Sequence, residues 1–196
     1  IHGGGTNTGS EWDGMSSSMT ARTVTAAGNV GAGSIAIRRA DGRYLLIQGG
    51  ASTATTILDP YGLTNPIAGP AVCTAATGTI AFQRDDGNYM IMCGGANTWG
   101  VYNTVTNTYT AGTGAPSSNY GPGTHAIKRQ DGTFLIVVGN GTTAHQIYNP
   151  YNVATVGSML NNPITGFPTV SQGAFSIQLL DGRFLMLTGA ANASYL

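Results

Sequence analysis

The stretch Ile35-Ala-Ile-Arg-Arg-Ala-Asp-Gly-Arg-Tyr-Leu-Leu-Ile-Gln-Gly-Gly50 decides the fold, because its pattern occurs four times along the chain. Its Asp-Gly pair separates two short apolar runs. This is the strongest short signal for a β-hairpin, since glycine accepts a positive φ without steric cost. The other Asp-Gly pairs begin at residues 86, 131 and 181, so the period is 45 to 50 residues and predicts one repeated supersecondary unit. The predicted hairpin repeats cover residues 33–50, 78–95, 123–140 and 173–190.

Each copy predicts four strands. The second run, such as Tyr44–Ile47 or Phe134–Val138, is apolar throughout. A strand with one face in water would alternate instead, so we expect this strand to be buried on both faces. A Gly-rich turn, a weaker run such as 101–104 and a polar Thr/Asn turn then lead to a last, irregular strand. The pattern therefore favours an all-β fold made of four-stranded antiparallel units.

The order of residues within each copy resembles the blades of kelch-like β-propellers, such as the central domain of galactose oxidase. The features on which this resemblance rests are Asp41-Gly42, the aromatic Tyr44 with its aliphatic run, Gly49-Gly50 and a Tyr-Asn-Pro motif that ends at Pro150. The resemblance covers almost the whole chain and implies that residues 1–196 form one propeller domain or part of one. It also implies that the first strand of each blade is innermost. Small residues recur there, which suits a crowded centre; they are Ala36, Ala81, Ala126 and Ser176.

The two ends carry the same phase of the repeat. Residues 1–12 and 187–196 both align with the segment that follows a second strand, so each end is expected to cut a blade through its middle. The two segments would compete for one position in a closed ring of four blades. We therefore expect a window from a longer array, or one member of an assembly in which another copy continues the propeller, since bare strand edges invite pairing.

The composition points to a surface protein. The chain is 41% hydrophobic but only 8% charged, with zero net charge, whereas about 25% charged residues is usual. Zero net charge provides no electrostatic basis for binding nucleic acid, and no apolar run is long enough to insert into a membrane. A chain rich in Gly, Thr, Ser, Ala and Asn, with a single lysine, predicts an extracellular location or one on the surface of a cell or particle.

Cysteines and asparagines add two open questions. Cys73 and Cys93 are able to pair in an oxidising compartment, but Cys93 lies in an apolar strand, and this position favours a free, buried thiol. Asn140-Gly-Thr and Asn192-Ala-Ser match the glycosylation pattern and share one repeat position. An Asn- and Thr-rich chain also produces such triplets by chance.

Most charged side chains lie in or beside the hairpin turns. Arg39, Arg84 and Arg129 precede the Asp-Gly pairs by the same two positions. One interpretation is a polar rim that binds sugars or a partner protein, because Arg and Asp bind hydroxyl groups well. The other, which we favour, is that these residues maintain solubility and the hairpin turns, with Asp accepting turn hydrogen bonds.

No catalytic motif is present. His2, His125 and His145 occupy different repeat positions, and the chain has no His-Glu-x-x-His, Cys-x-x-Cys or Gly-x-Ser-x-Gly spacing. His125 falls on the predicted innermost strand and is expected near the channel. We expect no catalytic residue, no metal site and no cofactor.

The predicted function is therefore a non-catalytic structural or adhesive module, with other copies of itself or further blades as partners. One alternative is a glycan-binding, lectin-like propeller, which needs exposed aromatic rings. Trp99 and Tyr120 are the candidates for this role, and Trp12, Tyr61 and Tyr151 also lie in or near turns. Another alternative is a propeller domain of a larger enzyme whose catalytic residues lie outside this chain.

Overall fold

A computed structural model describes residues 30–61, 66–113, 118–151, 157–160 and 164–189, together with the strand backbones at 9–11, 20–22 and 194–195. Every regular element in these residues is a β-strand. The all-β prediction is therefore confirmed for the part of the chain that is described. No helix among these residues is long and apolar enough to cross a membrane.

The strands form five antiparallel sheets, each of which follows chain order. The first has two strands, β1 (Gly9–Glu11) and β2 (Thr20–Arg22). Sheet A contains β3 (Ile35–Arg38), β4 (Tyr44–Ile47), β5 (Thr55–Leu58) and β6 (Ile67–Ala68). Sheet B contains β7 (Ile80–Gln83), β8 (Tyr89–Cys93), β9 (Thr98–Asn103) and β10 (Thr108–Ala111).

Sheet C contains β11 (His125–Lys128), β12 (Phe134–Val137), β13 (His145–Asn149) and β14 (Ser158–Leu160). Sheet D contains β15 (Phe175–Gln178), β16 (Phe184–Leu187) and β17 (Ser194–Tyr195). The predicted four-stranded unit is thus confirmed in sheets A, B and C, and three strands are described in sheet D. Within the described ranges, the sheets do not close into a ring.

The Asp-Gly pairs form the predicted hairpins, but with a longer turn than the two-residue type. In sheet A, the amide of Gly42 donates to the carbonyl of Arg39 at 3.1 Å, and the amide of Arg39 donates to the carbonyl of Arg43 at 2.8 Å. Only Gly42, with φ of 83°, is left-handed in this turn. This is a type I turn closed by a glycine bulge. Asp41 supports it by accepting a hydrogen bond from the amide of Arg43 at 3.1 Å.

The sheets stack face to face in chain order, and their cores lie between them. Ile37 and Leu45 of sheet A pack with Ile91 of sheet B, and Met92 of sheet B packs with Ile136 of sheet C. A smaller core joins sheets C and D. The first strands also approach each other, β3 with β7 and β11 with β15. Strands β4, β8 and β12 are mostly buried on both faces, as predicted, whereas β16 is only partly buried.

Cys73 and Cys93 form a disulfide, with their Cα atoms 5.9 Å apart. Our preference for a free Cys93 was therefore wrong. Cys93 is fully buried on β8, and Cys73 lies in the segment between β6 and β7. The bond therefore joins the chain entering sheet B to the second strand of that sheet. Strand periodicity alone does not reveal this pairing, because it depends on how the connecting segment crosses the sheet.

Candidate functional site

The charged hairpin turns all contain an internal ion pair between Arg and Asp. The distances from guanidinium nitrogen to carboxylate oxygen are 3.0 Å for Arg39–Asp41, 2.9 Å for Arg84–Asp86, 3.2 Å for Arg129–Asp131 and 2.7 Å for Arg183–Asp181. The hydrogen bond from Arg39 is the main cause that holds the pKa of the Asp41 carboxyl well below its usual range. These turns therefore present paired charges rather than free cations.

Two of these arginines are buried and reach the next sheet. Arg39, only 7% exposed, donates from Nη1 to the hydroxyl of Tyr102 at 2.9 Å and also to Asn107 Oδ1. Arg84, 8% exposed, donates to the hydroxyl of Tyr148 at 3.2 Å. It also donates to the carbonyl of Pro150 at 3.2 Å. We call these contacts the Arg–Tyr ties.

The two ties join equivalent places in successive repeats. Each runs from the hairpin turn of one sheet to the third strand of the following sheet, from A to B and from B to C. Burial raises the pKa of Tyr102 and raises that of Tyr148 to about 12. Both phenols therefore stay protonated at neutral pH and accept from the guanidinium. This geometry matches the structural interpretation of Arg39 and Arg84 and leaves them little access to a ligand.

Arg129 differs from these two residues. Its side chain is 41% exposed, and it pairs with Asp131 and donates to the Thr133 hydroxyl at 3.0 Å. It borders a cavity of about 340 Å³ between sheets C and D. The other residues around this cavity are apolar: Ile127, Leu135, Ile147, Ile164, Phe184 and Met186. Of the three arginines considered as ligand-binding residues, Arg129 alone has an accessible guanidinium.

Trp99 and Tyr120, the aromatic residues predicted to bind sugar, do not offer exposed rings. Trp99 is 2% exposed and packs edge-on against Tyr148, with ring centroids 5.7 Å apart. Tyr120 is fully buried in the core between sheets B and C, and burial raises the pKa of its hydroxyl. The expectation of exposed rings at these positions was wrong, because Trp99 lies on β9 and Tyr120 in the segment between β10 and β11, and both side chains pack in the core between sheets B and C.

Two other candidate aromatics lie at the surface. Tyr61 is 79% exposed and Tyr151 is 65% exposed. The Tyr151 hydroxyl donates to Asp85 at 2.8 Å, and Lys128 also binds this carboxylate, so a small exposed network links sheets B and C. Trp12 lies outside the described residues.

A polar groove lies beside the hairpin turn of sheet B. It has a volume of about 290 Å³ and combines an ion pair with amide and hydroxyl side chains. Its lining consists of Arg84, Asp86, Asn88, Val101, Asn103, Thr108 and Thr110. Such a mixture of donors and acceptors is suited to hydroxyl-rich ligands. The groove contains no aromatic side chain, so it lacks the ring against which a sugar would stack.

The histidines are engaged in structural contacts. His125 is half-buried, and its ring nitrogens contact the carbonyl of Gly123 at 2.9 Å and the hydroxyl of Ser176 at 2.8 Å. The second contact reaches β15 of the next sheet. His145 accepts from the amide of Ile164 at 2.6 Å and stacks on Phe167. His2 lies outside the described residues, and within them no three His, Cys, Asp or Glu side chains gather as a metal site.

Asn140 is exposed, and its φ of 77° is left-handed. Gly50 and Gly95 hold the same turn position with φ of 65° and 74°. Asparagine is one of the few other residues that tolerate this conformation, so the turn alone explains Asn140. The other predicted glycosylation residue, Asn192, lies outside the described residues.

The Arg–Tyr ties were missed by sequence reasoning, although a signal existed. Arg precedes each of the first three Asp-Gly pairs by two positions, and Tyr102 and Tyr148 recur in the third strand of the following repeat. The joint recurrence of a cation and a phenol in successive repeats is the pattern to look for. No protein-family model matches the chain, and the search of curated proteins found no match. The kelch-like resemblance therefore stays a prediction.

Proposed function

We propose that this chain is a non-catalytic structural or adhesive module, built as a kelch-like β-propeller or a segment of one. The observation that carries the proposal is the pair of Arg–Tyr ties. In these ties Arg39 and Arg84, two of the few cations in the chain, lie between sheets and bind Tyr102 and Tyr148. A molecule that buries its arginines to join its repeats uses them for its architecture.

The propeller form of the proposal rests on how the sheets are arranged. Antiparallel sheets follow one another in chain order, the first strands of sheets A and B and those of sheets C and D approach each other, and the small residues Ala81 and Ala126 pack into the cores between sheets. This is the order expected when first strands line a central axis. Class averages from electron microscopy test it: a ring or an arc of blades supports the proposal, and a straight stack contradicts it.

The extracellular or particle-surface part of the proposal rests on the disulfide between Cys73 and Cys93. Such bonds persist in oxidising compartments and are rare in the cytosol. Non-reduced peptide mapping of the native protein would show the two cysteines in one linked peptide. Two free thiols in native material would argue against this location.

Glycan binding is a second candidate, favoured by the polar groove beside the sheet B hairpin. The test is a glycan array probed with the wild type and with Thr110→Arg, which fills the groove from an exposed position. Thr143→Arg adds the same charge at an exposed position outside the groove and is the control. A glycan signal lost only in Thr110→Arg would establish a lectin. No signal in the wild type favours the structural role.

A further inference from the structure

Sheet D has an apolar face on its outer side, away from sheet C. Phe175 and Ile177 on β15 are 47% and 46% exposed. They pair with Leu187 and Leu185 on β16, which are half-buried. We call these four residues the outer face. Monomeric proteins rarely expose several neighbouring large apolar side chains without a binding role.

The repeat shows what this face does elsewhere in the molecule. The equivalent residues of sheet A are Ile35, Ile37, Leu45 and Ile47, and all four belong to the core between sheets A and B. Leu45 and Ile47 are fully buried there, and Ile37 is 1% exposed. The same positions in sheet B form part of the core against sheet C. The outer face is thus the continuation of an interface that the chain already uses, and another sheet is the partner that fits it.

The turn of sheet D lacks one contact that sheets A and B use toward the sheet that follows them. Leu179 occupies the position of Arg39, Arg84 and Arg129, so the position that forms the Arg–Tyr ties holds no guanidinium here, and Arg183 pairs with Asp181 within the turn. Leu180, the next residue, has a fully exposed side chain. Sheet D therefore lacks the polar contact that joins A to B and B to C, and carries an apolar edge in its place.

A second copy is able to cover this face with its own outer face. The opposite side of sheet A is not free to do so, because Leu46 is already 2% exposed and Val30 4% exposed. On the described residues, the only uncovered apolar sheet face that a second copy offers is the outer face itself. An uncharged face meets its own copy without repulsion, and two sheets pack face to face at about 10 Å.

We propose that the outer face of sheet D binds the outer face of a second copy of this chain, giving a two-fold symmetric dimer. The contact is isologous, with the same four residues contributed by each copy. The proposal does not depend on the propeller form or on glycan binding, and it fails separately from them.

The experiment is sedimentation equilibrium of the full chain over a wide concentration range. We expect the wild type to show twice the chain mass of 20.0 kDa. Ile177→Asp places two like charges opposite each other in the contact and should weaken association at least about 100-fold. Val105→Asp adds the same charge to an apolar residue that is 76% exposed in a turn of sheet B, and should leave the dimer unchanged.

Phe175→Asp is a second variant that keeps the test valid if Ile177→Asp does not fold, because Phe175 belongs to the outer face and its side chain is 47% exposed. It should also weaken the dimer. A monomer at all concentrations overturns the proposal, as does a dimer that persists when the folded variants carry these charges. A series of species larger than a dimer indicates head-to-tail contacts and also overturns it.

Discussion

At the scale of single residues, small side chains on the first strands make room for the preceding sheet. Ala81 packs in the core between sheets A and B, and Ala126 packs in the core between sheets B and C. Ala36 holds the same position in sheet A but is exposed. The size of this residue is thus constrained in sheets B and C, where the preceding sheet packs against it, and is not constrained in the same way in sheet A, where the residue is exposed.

Ala81→Leu should lower the free energy of unfolding by about 1 to 3 kcal/mol, because the added methyl groups overpack the core between sheets A and B. Ala36→Leu is the matched control and should have little effect at its exposed position. Chemical denaturation of both variants measures the difference. Equal stability of the two variants would show that β7 does not pack closely against sheet A.

His125 provides a pH-dependent contact between neighbouring sheets. Burial lowers the pKa of its imidazole, so the neutral ring is favoured in the folded protein. The carbonyl of Gly123 accepts from Nδ1, and the hydroxyl of Ser176 donates to Nε2 in this neutral form. The unfolded chain takes up a proton at higher pH than the folded one. Stability from this group is therefore complete above about pH 6.5 and is lost as the pH falls.

The melting temperature of the wild type should consequently fall between pH 7.5 and pH 5.5. His125→Ile introduces the residue found at this position in sheets A and B and should flatten that decline. An identical decline in His125→Ile would mean that another group titrates on unfolding.

At the scale of elements, the Arg–Tyr ties join a hairpin turn to the third strand of the next sheet. Each guanidinium also has a second acceptor in or beside the next sheet: Arg39 donates to Asn107 Oδ1, and Arg84 donates to the carbonyl of Pro150. The Tyr102 hydroxyl in turn donates to Asn107 Oδ1 at 2.9 Å, so each tie is more than a single hydrogen bond.

Tyr148→Phe should destabilise the protein by about 1.5 to 3 kcal/mol, because a buried charged donor loses an acceptor. Tyr102→Phe is the matched variant in the other tie, and we expect a loss in the same range, because the Tyr102 hydroxyl accepts from Arg39 and donates to Asn107. Thermal and denaturant unfolding measure both losses. A Tyr148→Phe variant as stable as the wild type would contradict the role assigned to the Tyr148 hydroxyl.

At the scale of the whole molecule, the packing of sheet A on sheet B is supported by one covalent bond, the disulfide between Cys73 and Cys93. The disulfide links two residues 20 positions apart and ties the segment between sheets A and B to a buried strand of sheet B. It limits the freedom of the unfolded chain while both sheets still pack through the core that contains Cys93.

Cys73→Ala with Cys93→Ala should lower the free energy of unfolding by about 3 kcal/mol, as expected for a loop of this length. A reducing agent should lower the stability of the wild type by a similar amount and leave the double variant unaffected. A wild type that unfolds identically with and without reductant would contradict a stabilising bond between these cysteines.

The sequence by itself determined the repeat, the hairpins and the burial of the second strands. These features depend on neighbours in the chain: alternation or its absence sets which faces are buried, and Asp41-Gly42 sets the turn through one left-handed glycine. Three four-stranded sheets follow from such local rules repeated at one period.

Only the tertiary structure decided which side chains remain available for binding. Arg39 contacts Tyr102 across 63 positions of sequence, and Trp99 and Tyr120 are buried because sheets B and C pack over them. The Cys73–Cys93 bond and the exposure of Ile177 also depend on how the sheets pack in the tertiary structure. Burial, pairing and exposure at these residues depend on which sheets meet, and the pattern within one repeat is the same whether or not a neighbour covers it.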